Sequence, residues 1–346
     1  MRVGICGYPG SGKSTVFSAL APGGRTDRDI AFGNIKVPDS RVDSLAAIFK
    51  PKKTTYAEIT FVDVGGTGGG ARAGGAFPPE VLQGMRNADL LVHVVRGFEN
   101  PSLPTRPDPA RDERLFNDEL LLLDMGILET RGERFKKEAK KGPEVDVNKK
   151  CLEHLEKGEA LRTLTLAEEE QRALGPGIQL LSMTPIITLY NLSEEAWADP
   201  KNKPLRDTKE GGASVSLAIC GSIEAEIAAL PPEEQKDFLE GLGLGEPARN
   251  GFIRGAYRLL DLISFLTAGP DECRAWPIRR GTVARKAAGK VHSDIERGFI
   301  RAEIYRPEDL KVAGTEAALK AQGKIHVEGK EYVMQDGDVV NFRFNV

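Results

Sequence analysis

Met1-Arg2-Val3-Gly4-Ile5-Cys6-Gly7-Tyr8-Pro9-Gly10-Ser11-Gly12-Lys13-Ser14-Thr15 opens the chain, and Val16-Phe17-Ser18-Ala19-Leu20 continues it with helical character. The apolar start reads as a strand, and the turn behind it has the form G-x-x-x-x-G-K-S. Glycines there let backbone N–H groups turn inward on an anion, and the helix N-terminus adds roughly half a positive charge at the same point. In this pattern Lys13 reaches the outer phosphates of a nucleotide and Ser14 ligates Mg²⁺, while Gly10, Ser11, Gly12 and Thr15 complete the cradle. A merely flexible turn would leave the Lys-Ser pair at the helix start unexplained.

Working outward, further apolar runs with β character recur at residues 59–64, 90–95, 185–190 and 215–220. They are continuous rather than alternating, which suits parallel strands covered by helices on both faces. The expected fold class is therefore α/β, a doubly wound sheet. Between residues 112 and 175 the β pattern stops: Leu115, Phe116, Leu120, Leu123 and Ile127 recur at helical spacing, and Leu152, Leu155 and Leu161 resume the apolar face after Gly142-Pro143. An inserted antiparallel helical hairpin is expected there. At its tip, Arg134 to Lys141 is strongly basic, readable as a polyanion contact or as a solvated helix end. From about Trp276 short alternating strands return, so the expected domains are 1–111 with 176–275 for nucleotide binding, 112–175 helical, and 276–346 a small α+β unit.

Composition bounds the function. The 346 residues suffice for two or three domains, and the formal net charge of −3 gives no global attraction to nucleic acid. DNA sequence recognition is not expected, and any RNA contact must come from a local basic patch such as Arg279, Arg280, Arg285, Lys286 and Lys290 beside Trp276. No apolar run approaches the roughly 18 residues of a membrane span, and the expected location is cytoplasmic. Cys6, Cys151, Cys220 and Cys273 are widely spaced, as buried thiols in a reducing compartment would be.

Downstream motifs refine the nucleotide reading. Asp63-Val64-Gly65-Gly66 at a strand end matches D-x-x-G, with Asp63 in the Mg²⁺ shell and the Gly66 N–H on a γ-phosphate. Asn191-Leu192-Ser193-Glu194 stands where guanine-specific proteins read N-K-x-D. Leu192 replaces the lysine, and Glu194 carries one more methylene than aspartate, so guanine preference should be weak. Asn191 can brace the loop, Leu192 and Glu194 can meet the base, and Ser193 also reads as a helix cap. Cys220 and Gly221 begin the last nucleotide-contacting loop. His93, within an apolar strand, reads as a satisfied core histidine.

The phosphate loop, Val37 to Asp43, Phe61-Val62-Asp63, Asn191 to Glu194, Ile223 to Ile227, Phe265 to Gly269, Arg274-Ala275-Trp276, Gly298 to Glu303 and Gln335 to Val346 together resemble the YchF-type, Obg-like ATPases of the translation-factor class, essentially end to end. The resemblance implies a Ras-like P-loop domain, a coiled-coil hairpin and a C-terminal TGS domain of β-grasp type. It further implies ATP bound in preference to or alongside GTP, slow hydrolysis aided by Lys13 and Gly66, and association with ribosomes or RNA in translation or stress responses. The alternative is a non-hydrolysing nucleotide-sensing module with altered switch loops. This chain departs from the family pattern in three places. Gly10 replaces the usual Asn linked to monovalent-cation binding, the segment after the first helix is short with Thr26 as the candidate second Mg²⁺ ligand, and Thr67 follows Gly66. Arg72 is a candidate internal charge stabiliser.

Overall fold

Val3, Ile5 and Cys6 of strand β1 (Arg2–Cys6) are almost completely buried, as a continuous apolar strand covered on both faces should be. In the computed structural model the described residues are 1–27, 30–64, 77–175, 177–199, 206–207, 214–242, 244 and 246–345. Further strands are β2 (Arg25–Asp27), β3 (Ile30–Val37), β4 (Lys53–Thr55), β5 (Ala57–Asp63), β6 (Leu90–Gly97) and β7 (Ile186–Leu192). They continue as β8 (Arg206–Asp207), β9 (Ser214–Ile219), β10 (Leu262–Thr267), β11 (Glu272–Arg279), β12 (Phe299–Tyr305), β13 (His326–Glu328) and β14 (Val339–Phe344).

The first sheet has the order β2-β3-β5-β1-β6-β7-β9-β8. Its centre, β5-β1-β6-β7-β9, is parallel throughout, and β2 and β8 add antiparallel edges. β1 lies at the point where the order reverses, so the segment leaving its carboxyl end opens into the crevice where such sheets bind ligands.

The chain divides into two compact units, Met1–Ile35 with Thr60–Leu259, and Lys36–Ile59 with Leu260–Val346. Residues 36–59 and 260–275, which the sequence groups with the nucleotide domain, fall in the second unit. The cause is strand pairing: β10 pairs antiparallel with β11 and parallel with β14, and β4 adds beside β11. That mixed sheet runs β13-β12-β14-β10-β11-β4 around Phe265, Ile278, Ala302, Ile304 and Phe342. Within it Arg41 donates to Asp39 and Asp336, joining the early segment to the C-terminal strands.

The long helix Pro109–Lys137 starts with Asp108 accepting from the Arg111 N–H and with Pro109 in its first turn. Its first half belongs to the sheet's cover, because Phe116 and Leu120 pack with Cys6, Tyr8, Leu91 and Ile186. From Leu121 onward it turns to a second core, in which Leu121 and Leu128 join Val147, Cys151 and Leu155, the last three lying on the helix Pro143–Leu155. The expected hairpin is present, with an added short helix, Glu168–Leu174, closing its core through Leu174. Asp124 in this region is wholly buried, accepts from the Leu181 and Ser182 N–H groups at 2.9 and 2.6 Å, and burial holds its carboxyl above the ordinary range. Beside it Arg162 donates to the Ser182 carbonyl and to Asn117, and desolvation lowers its guanidinium to about 10. No helix among the described residues is long and apolar enough to cross a membrane.

Candidate nucleotide site

The phosphate loop leads directly into the helix Lys13–Leu20, whose N-cap is Gly12 at φ 79° with no side-chain cap. The first N–H groups of that helix are thus not taken by a capping side chain. Gly12 is required twice over: its backbone is left-handed, and a Cβ there would stand 2.2 Å from the Asn191 amide nitrogen. Gly10 is also left-handed, at φ 78°, and its Cβ would lie 2.5 Å from Leu103 Cδ1.

Asn191 is 4% exposed at the end of β7 and joins two loops. Its Nδ2 donates to the Ser11 carbonyl at 3.0 Å, and its Oδ1 accepts from the Gly221 N–H at 2.9 Å. The brace expected of Asn191 is therefore present with both halves satisfied. Ser11 keeps its backbone in this bridge while its hydroxyl is buried without a hydrogen-bond partner among the described residues.

Lys13 Nζ lies 3.0 Å from Asp63 Oδ1, which brings the phosphate-loop lysine and the D-x-x-G aspartate to one point between β1 and β5. Ser14 and Thr15 are exposed on the first turn of the helix. Thr26 lies in β2, its backbone paired opposite Ala31. Gly66, Thr67 and Arg72 lie outside the described residues.

At the base-reading position Ser193 caps the helix Glu194–Ala198, its hydroxyl accepting from the Ala196 N–H at 3.2 Å. Glu194 is exposed and accepts from the Ser222 hydroxyl at 3.3 Å. Leu192 sits beside Gly97, where a Cβ would meet its Cδ2 at 2.5 Å. Cys220 is buried, with its sulfur 3.1 Å from the Ser222 hydroxyl, so only its backbone is available to a base.

The β6 strand holds a surprise in polarity rather than position. His93 is in the core, stacked 3.9 Å from the Phe116 ring and edge-on to Tyr8, but neither ring nitrogen has a hydrogen-bond partner among the described residues, so the expectation of a satisfied histidine fails there. Desolvation alone lowers its pKa to about 3. The same burial raises the Cys6 thiol to about 12. Neither group has the character of a catalytic base or nucleophile at neutral pH.

Sequence reading missed the loop after β6. Leu103 and Asn100 lie against Gly10, and Phe98 lies near Gly12. The loop is held by Arg96, which donates to the Thr105 carbonyl at 2.8 Å. Nothing local in Phe98 to Thr105 signals that role, because it depends on the loop folding back over residues far away in sequence. The basic residues expected to form a terminal patch are partly engaged: Lys286 pairs with Glu296, and Arg280 with Asp261.

A lysine-bearing phosphate loop at the switch point of a doubly wound sheet, braced by a buried asparagine from a neighbouring strand end, defines a P-loop nucleotide-binding protein. Comparisons agree. The family described as 50S ribosome-binding GTPase matches residues 2–124, and a C-terminal YchF GTPase family, described as a protein of unknown function, matches residues 262–345. The chain is 39% identical to the ribosome-binding ATPase YchF of Escherichia coli O157:H7 over 366 residues, covering 100% of this chain and 99% of that one. It is 38% identical to the ribosome-binding ATPase YchF of Bacillus subtilis (strain 168), covering 100% of both. The solved Schizosaccharomyces pombe YchF GTPase superposes with a TM-score of 0.86 at 29% identity, over 99% of this chain and 97% of that one. The chain belongs to the YchF family, as its motifs indicate.

Proposed function

We propose that the chain is a cytoplasmic, Mg²⁺-dependent nucleoside triphosphatase that binds ATP in preference to or alongside GTP, hydrolyses it slowly and associates with ribosomes or RNA. The observation that carries the base preference is that Leu192 stands where a guanine reader has lysine and that the exposed Glu194 carboxylate is one methylene longer than aspartate. A guanine reader needs a carboxylate placed to accept from both N1–H and the 2-amino group, and a site tuned to such a pair discriminates strongly only when the geometry is kept. Relatives named as ribosome-binding ATPases support both the chemistry and the partner.

The residues fit a magnesium ion. Ser14 and Asp63 offer a hydroxyl and a carboxylate oxygen, hard donors of the kind Mg²⁺ takes while keeping several waters, and Thr26 is the candidate for a further hydroxyl. When bound, the ion would neutralise charge on the outer phosphates. Lys13 supplies the second cation, and the uncapped N–H groups at the start of the helix Lys13–Leu20 hold phosphate oxygens. Gly66 contributes a backbone N–H toward the γ-phosphate in this reading. Thr67 has no amide to orient a water, so turnover rests on charge stabilisation and is slow.

Calorimetry with ATP and GTP in the presence of Mg²⁺ tests the reading. ATP should bind at least as tightly as GTP, and clear GTP selectivity would refute it. Phosphate release with and without purified ribosomes then separates a slow enzyme from a non-hydrolysing sensor.

A further inference from the structure

We propose that the groove between the distal half of the helix Pro109–Lys137 and Leu174, Gly177 and Ile178 docks an acidic, aliphatic peptide segment of a protein partner. The groove, about 480 Å³, is lined by Ile127, Thr130, Arg131 and Arg134 on one side and by Leu174 and Ile178 on the other. The first four occupy one helix face by their three- and four-residue spacing. Its apolar floor is continuous with the helical core, against which Ile127 and Ile178 pack while remaining partly exposed. Its rim is cationic.

The charge on that rim is only partly matched, because the Glu144 carboxylate that Arg131 and Arg134 both feel is hydrogen-bonded to Lys140. Arg131 Nη1 is buried and has no hydrogen-bond partner among the described residues, an expensive arrangement for a guanidinium. Arg134 pairs with Glu138 through a long, exposed contact at 3.9 Å. The neighbouring lysines differ: Lys136 is held by Glu133 and Lys140 by Glu144. The exposed Arg134 guanidinium suits a carboxylate, which accepts two N–H donors of one fork in plane, and Arg131 adds its charge one helical turn earlier. A Leu, Ile or Val side chain next to that carboxylate would cover Ile127, Leu174 and Ile178.

RNA fits these features less well. Single-stranded RNA is held by cations together with aromatic faces on which bases stack. The one aromatic ring here, Phe135, is buried beneath Arg131, Arg134 and Lys140, which lie 5.1, 5.8 and 5.3 Å from its centroid. An aliphatic floor offers a base no stacking surface.

The test uses the full-length protein and fluorescence anisotropy of a fluorescein-labelled Glu-Glu-Leu repeat peptide, with Glu-Glu-Ser and Lys-Lys-Leu peptides and an oligouridylate as comparators. The Glu-Glu-Leu peptide should bind, and Arg131→Gln, Arg134→Glu and Ile178→Asp should each weaken it at least about tenfold. The exposed Arg134→Glu change serves where the other two disturb folding, and ATP binding should be unaltered in it because the groove is separate from the phosphate loop. Failure of the peptide to bind, equal binding of the Ser peptide, or wild-type affinity in a variant of wild-type Tm overturns the proposal. So does an oligouridylate that binds, loses affinity in Arg134→Glu and is not displaced by the peptide, since the surface would then serve nucleic acid.

Discussion

Asn191 donates its side-chain N–H to the carbonyl of Ser11 at 3.0 Å across 180 residues of sequence. Because the same side chain accepts from Gly221, the phosphate loop and the last nucleotide loop share one buried hinge pin. Its removal leaves a carbonyl and an N–H unpaired in the interior, each costing about 1–3 kcal/mol. Asn191→Ala should therefore lower Tm and weaken nucleotide binding by at least about tenfold, measured by differential scanning calorimetry and by titration. Asn191→Asp should restore the contact to Gly221 but not that to Ser11, giving an intermediate loss.

The contact between Gly10 and Leu103 predicts a coupled pair. Gly10→Asn should reduce stability and nucleotide affinity, because its Cβ would stand 2.5 Å from Leu103 Cδ1 in a left-handed backbone. Combined with Leu103→Ala, the same change should cost less than the sum of the two singles, with a coupling energy of about 0.5–3 kcal/mol. Strict additivity in urea unfolding would mean that the loop does not press on Gly10.

His93 predicts a particular acid sensitivity. Its pKa is about 3 in the folded chain against the ordinary 6.5 of an imidazole, so above pH 6.5 folded and unfolded states are both neutral and the group contributes no pH dependence there. Below pH 6.5 the unfolded chain takes up a proton that the folded chain refuses. Stability then falls, by about 1.4 kcal/mol per pH unit, until pH 3. His93→Phe keeps an aromatic ring against Phe116 and should flatten this slope, being favoured over wild type by about 2 kcal/mol more at pH 5 than at pH 7. Urea midpoints at the two pH values give the answer, and an unchanged slope would show that His93 finds a partner or water when protonated.

Asp124 anchors the helical hairpin to the chain that returns toward β7. Asp124→Ala would strand the Leu181 and Ser182 N–H groups and leave Arg162 beside one carboxylate fewer. A loss of about 2–5 kcal/mol is expected in chemical denaturation. Asp124→Asn, which keeps one acceptor oxygen, should lose markedly less.

Much of this was legible in residue order. Val3 to Cys6 running into Gly12-Lys13-Ser14 announced strand, loop and helix, because the spacing of glycines, lysine and hydroxyl is local and the loop's chemistry is carried by adjacent backbone groups. The apolar runs at β6, β7 and β9 announced a covered parallel sheet for the same reason. Asn191 was legible as a brace only through its place at a strand end. The unpartnered nitrogens of His93, the burial of Asp124 and the seat of Leu103 on Gly10 were not, since each depends on which distant surface arrives at that point.

Sequence alone thus determined the nucleotide class, the elements that build the loop and the family, all of which follow from short-range pattern and composition. Tertiary structure decided three things: that residues 36–59 join the C-terminal strands through β4 and Arg41, that one helix covers the sheet with Phe116 and builds the hairpin with Leu128, and that Arg131 lines a groove with its Nη1 lacking a hydrogen-bond partner among the described residues. Strand partners and side-chain burial are set by the free energy of packing surfaces that are remote in the chain, and no local periodicity encodes which of them will meet.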